Sequence, residues 1–195
     1  MKILVIDDTQ KHLDSAIQTL EGHDVTTCAT YDEAAKLVNA GGWDVVLSDL
    51  LMPAGKRSQG EGMKYVGQEM PVGWSLALEA VQAGAKYVAV VTDMNHHSHP
   101  ASAMLDSISG TIFDINGSKV LMTNRIESVG IKDGTHQVCA TCNGTGDFPG
   151  DAKYGCGDCG GDGFKFQQSG KDWAEIFDRL LSGRTYPKGS RGCRG

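Results

Sequence analysis

The chain has no apolar run that approaches the roughly 20 residues a helix needs to cross a bilayer. Its start, "MKILVIDD", sets two aspartates behind a run too short for a secretory leader. A soluble protein of the cytoplasm is expected, with no membrane contact. Positive charge is also in short supply. The 18 lysines and arginines stand against 24 aspartates and glutamates, and the net charge of −6 repels a phosphate backbone, so nucleic acid is not an expected partner. No internal period runs through the 195 residues, which argues against a solenoid and for one main core with an inserted or appended piece. Residues 134 to 163 have few large apolar side chains and cannot build a core unaided.

What is present is an alternation of short β-branched runs with helix-period segments. "KILVI" (2–6) reads as a buried strand, and Leu13, Ala16, Ile17 and Leu20 recur at helical spacing behind it. "DVTTC" (24–28) is a second strand, "YDEAAKLVNAGG" a helix stopped by glycines, and "DVVLS" (44–48) a third strand. Residues 54–73 carry five glycines and no clean period, and read as a long loop. Trp74, Ala77, Leu78 and Val81 mark a third helix, "KYVAVV" (86–91) a fourth strand, "HPASAMLDSI" a fourth helix with Pro100 at its first position, and "KVLMT" (119–123) a fifth strand. The last helix, "KDWAEIFDRLLSG", sets Trp173, Ile176, Phe177, Leu180 and Leu181 on one face, with Asp172 and Glu175 spaced like a capping box and Gly183 as its stop.

This alternation predicts an α/β fold, a doubly wound, five-stranded parallel sheet. The main unit is expected to span residues 1–137, with an insertion at 138–163, the last helix returning to the sheet at 164–183, and a flexible tail at 184–195.

In such a sheet ligands gather at the carboxyl ends of the strands, because parallel strands bring their loops to one edge. Asp7 and Asp8 follow the first strand, Asp49 the third and Thr92 the fourth. Carboxylates about 4 Å apart repel by roughly 4 kcal/mol per pair at an effective dielectric near 20, and a hard divalent cation removes that cost. Magnesium fits, since it takes a few carboxylates and bridges to a phosphoryl oxygen that the Thr92 hydroxyl could also bond.

"ILVIDDT", followed some forty residues later by "DVVLSDLLMP" and then by "VAVVTD", resembles the receiver domain of two-component response regulators, the CheY-like (flavodoxin-like) fold, over residues 1 to about 109. That resemblance implies Asp49 as phosphoryl acceptor and Thr92 as switch hydroxyl. It implies magnesium held by Asp8 directly, Asp7 through water, Asp49, and the backbone carbonyl of Leu51. The partners it implies are a histidine kinase or phosphotransfer protein and an output protein. The family's lysine at the end of the fifth strand has no counterpart in "KVLMTNRIE", where Thr123 or Asn124 occupies its place. Lys119 sits at the wrong end of that strand, and Arg125 would serve only if the chain turned inward.

"CATCNGTG" and "CGDCGGDG" both repeat C-x-x-C-x-G-x-G, with thirteen residues between the cysteine pairs. Cys139, Cys142, Cys156 and Cys159 supply four thiolates, which suits tetrahedral zinc with no position left open for catalysis. A redox dithiol is the alternative. The repeat resembles the cysteine-rich zinc region of DnaJ-type chaperones, halved to one site, with no chaperone activity implied. Cys28 reads as core and Cys193 as incidental. His96, His97 and His99 read as solvated residues of a loop beside the acidic edge, ahead of a metal assignment.

The expected function is a stand-alone receiver that accepts a phosphoryl group on Asp49 and signals by protein contact, and not an enzyme. The alternative is a phosphorylation-independent pseudo-receiver that binds a partner through its zinc insertion. A phosphohydrolase of the haloacid dehalogenase type is disfavoured, because that class separates its two aspartates by one residue, whereas Asp7 and Asp8 are adjacent.

Overall fold

The computed structural model of the chain describes residues 1–57, 60–132, 136–148 and 151–184. The tail from residue 185 on, Cys193 included, lies outside the described residues.

The α/β alternation is present, in the order β1 (Lys2–Ile6), α1 (Gln10–Thr19), β2 (Asp24–Cys28), α2 (Tyr31–Ala40), β3 (Val45–Asp49), α3 (Gly73–Gln82), β4 (Tyr87–Val91), α4 (Pro100–Met104), β5 (Ile112–Ile115), β6 (Ser118–Thr123), β7 (Ser128–Gly130), β8 (Ser169–Lys171) and α5 (Trp173–Ser182). The sheet order is β2-β1-β3-β4-β6-β5, and every pairing is parallel except that of β5 with β6.

The sheet therefore has six strands and is mixed, where five parallel strands were expected. The addition is a hairpin. Asn116 and Gly117, both in the left-handed region (φ 51 and 81), turn β5 directly into β6, and the Gly117 amide bonds Asp114 Oδ1 at 3.1 Å. An Asn-Gly pair with positive φ at both positions matches the right-handed strand twist and so closes a tight hairpin. Helix α4 is correspondingly short and runs on as a 3₁₀ turn, Leu105–Ser107.

Successive strand residues point to opposite faces, and both faces are covered. Leu4, Ile6, Val46, Val88 and Val90 face α2, α3 and α4, while Ile3, Val5, Leu47, Ala89 and Val91 face α1 and α5, all without solvent exposure. Trp173, Ile176, Phe177 and Leu180 of α5 close the second face. Ile17, Leu78 and Leu181 were counted with the apolar faces but are exposed. Each directly follows a buried residue (Ala16, Ala77, Leu180), and the roughly 100° rotation per helical residue carries it off the sheet. Thr30 caps α2 by accepting from the Glu33 amide, and Asp172 caps α5 by accepting from the Glu175 amide at 3.1 Å, with Gly183 (φ 67) ending that helix.

The segment 54–73 is more ordered than a plain loop: Met52–Pro53 pair with Glu69–Met70, and Gly60–Tyr65 form a 3₁₀ turn. At its end Gly73 is required by space, because a Cβ there would collide with the backbone carbonyl of Asp49. The missing side chain lets the start of α3 lie against the end of β3.

After β6 the chain leaves the sheet. Strands β7 and β8 pair antiparallel and lie across α1. His12 Nδ1 accepts from the Lys171 amide at 3.1 Å, Ser15 Oγ donates to the Lys171 carbonyl at 2.9 Å, and Gln18 bonds both the Gly130 carbonyl (2.9 Å) and the Lys132 amide (2.8 Å). Gly170 lets the ribbon sit this close, since a Cβ there would strike Ser15 and the Lys11 carbonyl. The cysteine-rich stretch hangs from the far end of this ribbon. No helix among the described residues is long and apolar enough to cross a membrane.

Candidate functional site

Strand register assembles the first site. Asp49 of β3 is opposite Val91 of β4, and Ile6 of β1 is opposite Ser48, so Asp7, Asp49 and Thr92 all leave the sheet at one edge. Asp7 and Asp49 are buried, and between them lies a residue that the sequence reading passed over, Lys171. Its ammonium, with 2 % of the side chain exposed, donates to Asp7 Oδ2 at 2.7 Å and to Asp49 Oδ1 at 2.5 Å, and lies 3.6 Å from Asp93 Oδ1. The remaining carboxylate oxygens take backbone amides: Thr9 to Asp7 Oδ1 at 2.9 Å, Leu51 to Asp49 Oδ2 at 3.0 Å.

Lys171 thus reaches this edge from the other side of the insertion. Thr123 and Asn124, which occupy that end, have other partners. Thr123 Oγ1 meets Ser109 Oγ at 2.9 Å, and Asn124 donates to Asp106 Oδ1 at 2.6 Å and to the Ser102 carbonyl at 3.2 Å. One signal pointed to Lys171. Excising the insertion as a unit leaves this lysine between the last sheet strand and the last amphipathic helix.

The charges at this edge interact strongly. Burial pushes the Asp49 carboxyl up to about 6, against the pull of the Lys171 ammonium. Burial also opposes the charge on Lys171, but Asp49, Asp7 and Asp93 outweigh it and hold the ammonium above the ordinary lysine range. Partial burial and the neighbouring Asp7 raise Asp8, whose side chain is exposed. Asp93 is held well below the usual carboxylate range, first by the His12 imidazole, whose Nε2 lies 3.3 Å away. Because His12 Nδ1 accepts from the Lys171 amide, Nε2 is the nitrogen that bears the proton facing Asp93. Thr92 is buried, and its Oγ1 accepts from the Met94 amide at 3.1 Å.

The second site is local. Among the described residues, Cys139, Cys142, Cys156 and Cys159 form the one group of three or more metal-ligating side chains drawn together, with all four sulfurs within 4.8 Å. Asp7, Asp8 and Asp49 do not form such a group, and the cation at their edge is Lys171. A Zn–S bond of about 2.3 Å in a tetrahedron sets sulfurs about 3.8 Å apart. The Cys139–Cys156 and Cys142–Cys159 separations are 3.9 and 3.7 Å, so the cluster can hold zinc. The Cys142 amide directed at its sulfur draws the Cys139 thiol down to about 6, while burial pushes Cys156 up to about 11.

The glycines of the repeat explain how four sulfurs meet. The two halves cross reciprocally: the Cys139 amide bonds the Gly163 carbonyl at 2.9 Å, and the Cys156 amide bonds the Gly146 carbonyl at 2.7 Å. A Cβ on Gly146 would strike the Gly161 carbonyl, and one on Gly163 the Gly144 carbonyl. All four glycines have positive φ, between 77 and 96. Thus the first glycine of one repeat is the floor on which the last glycine of the other rests.

Of the loop histidines, His99 caps α4 by accepting from the Ala101 amide at 3.1 Å, whereas His96 and His97 contact each other. No protein-family model matches the chain, and no curated protein matches it significantly.

Proposed function

We propose that the protein is a receiver of the response-regulator type, in which Asp49 accepts a phosphoryl group from a phosphohistidine donor. The observation that carries this reading is the buried ammonium of Lys171 shared by Asp7 and Asp49 at the carboxyl edge of the sheet. A nucleophilic carboxylate, a fixed cation to take up phosphoryl charge and a hydroxyl at Thr92 are the parts that transfer to an aspartate requires. One Asp49 oxygen forms a bond to phosphorus while the bond from phosphorus to the donor imidazole nitrogen breaks, and the imidazole keeps that electron pair. The Lys171 ammonium and the Leu51 amide, already on the two Asp49 oxygens, steady the charge as it builds.

Four carboxylates, Asp7, Asp8, Asp49 and Asp93, crowd this edge against the Lys171 ammonium and the His12 imidazole, and Asp7 still raises Asp8. Asp7, Asp8, Asp49 and the Leu51 carbonyl would hold magnesium, which when bound supplies charge neutralisation at the phosphoryl oxygens. The cysteine cluster takes zinc in a structural role. The pseudo-receiver alternative drew its force from a missing lysine, and Lys171 supports the phosphorylated reading instead.

Intact mass after incubation with acetyl phosphate and magnesium tests the proposal. A gain of one phosphoryl group is expected in the wild-type chain and none in Asp49→Asn. An unmodified wild type, or equal labelling of the variant, overturns it.

A further inference from the structure

The loop after β4 contains a second arrangement of ligating atoms that neither the sheet edge nor the cysteine cluster uses. His96 and His97 place their Nε2 atoms 2.9 Å apart, with the rings edge to face at 71°. Two imidazole nitrogens this close cannot both carry a proton, so at least one lone pair points into the gap. His96 Nδ1 is 2.8 Å from Asp106 Oδ2, which fixes the Nδ1–H tautomer and turns the Nε2 lone pair toward His97. The Asp106 carboxylate is itself braced, since its other oxygen accepts from Asn124 Nδ2 at 2.6 Å, and that contact holds the Asp106 carboxyl below its usual range. The His97 backbone amide bonds Asn95 Oδ1 at 2.8 Å, which fixes the second ring's root.

Two converging imidazoles, one backed by a carboxylate, are a recurrent way of presenting nitrogen to a transition metal, in which the metal takes the place of the shared proton. The His96 side chain is 32 % exposed, so an ion can enter and keep water in its remaining positions. Imidazole without thiolate or clustered carboxylate selects borderline divalent ions such as nickel, copper and zinc over magnesium or calcium.

We infer that His96 and His97 form a solvent-open binding site for a divalent transition metal, with Asp106 as the residue that orients His96. The site is separate from the four cysteines and does not depend on phosphorylation of Asp49.

The test is calorimetric titration of Ni²⁺ into the untagged full-length protein already loaded with one zinc per chain. One nickel per chain should bind in the micromolar range. His96→Ala and His97→Ala should each abolish it, while zinc content and thermal unfolding stay unchanged. Asp106→Asn should keep the stoichiometry and weaken binding by about tenfold, the usual effect of removing a carboxylate behind a metal-bound imidazole. His23→Ala, on the turn after α1, should bind as the wild type does. Nickel X-ray absorption should show two imidazoles. Absence of binding in the wild type, full binding retained by His97→Ala, or sulfur in the nickel shell would overturn the proposal.

Discussion

The two sites are built in opposite ways. The cysteine cluster draws all its ligands from 21 consecutive residues, 139–159, and the reach of each half is set by glycines within the same repeat. The acidic edge joins residues 122 and 164 positions apart, and the cation that makes it tolerable arrives on a ribbon laid across α1. The first can form wherever its segment and a metal are present. The second exists only once the sheet, α1 and the ribbon have all docked. Local construction makes a site independent, and distributed construction makes it a test of the whole fold.

Removing the metal should have the largest effect and divide the molecule along this line. Structural zinc contributes folding free energy on the order of 10 kcal/mol. A Cys142→Ser variant should lose zinc, and residues 138–163 should lose amide protection in hydrogen exchange. The sheet should keep its protection, because His12, Ser15 and Gln18 hold the ribbon without help from the cysteines. Collapse of both regions together would break the comparison.

Next comes Lys171→Met. It leaves two buried carboxylates facing each other, and breaking a buried pair from one side costs about 3–5 kcal/mol. Urea denaturation should record a loss of that size, with zinc content unchanged.

The pH dependence of the proposed phosphoryl acceptance follows. Asp49 is pushed up to about 6, so the reactive carboxylate form is full above that value and falls as pH drops through it. Acetyl phosphate labelling should fall about tenfold per unit below the midpoint, roughly 1.4 kcal/mol each. Magnesium should move the midpoint lower. A rate flat down to about pH 4 would contradict the burial argument.

The smallest change belongs to Asp49→Asn. One ammonium serves two carboxylates, so deleting one of them still leaves Asp7 paired and relieves repulsion. Stability should change by no more than about 1 kcal/mol, far less than for Lys171→Met. Equal losses in the two variants would mean that the pair is not shared as its distances indicate.

The same contrast explains what could be read from the sequence. The cysteine repeat was legible because its spacing is its geometry. Strands β1 to β4, β6 and helix α5 were legible because each carries one period along its length. Asp7, Asp8, Asp49 and Thr92 were legible as strand ends. Lys171 was not, because nothing around "SGKDW" reports that Asp49 lies against it, and the residues at the end of β6, Thr123, Asn124 and Arg125, precede the chain's excursion and return. Strand β5 was missed for a different reason. Residues 109–118 were given no element, and the Asn116-Gly117 hairpin signal within them was passed over.

The ribbon also orders the events of folding. Loop closure over such separations is entropically slow, and pairings that span them complete late. In a chain made from its amino end, Asp7 and Asp49 precede Lys171 by 164 and 122 residues. The acidic edge can therefore dry only after the ribbon has docked, and its ammonium acts as a latch on that edge.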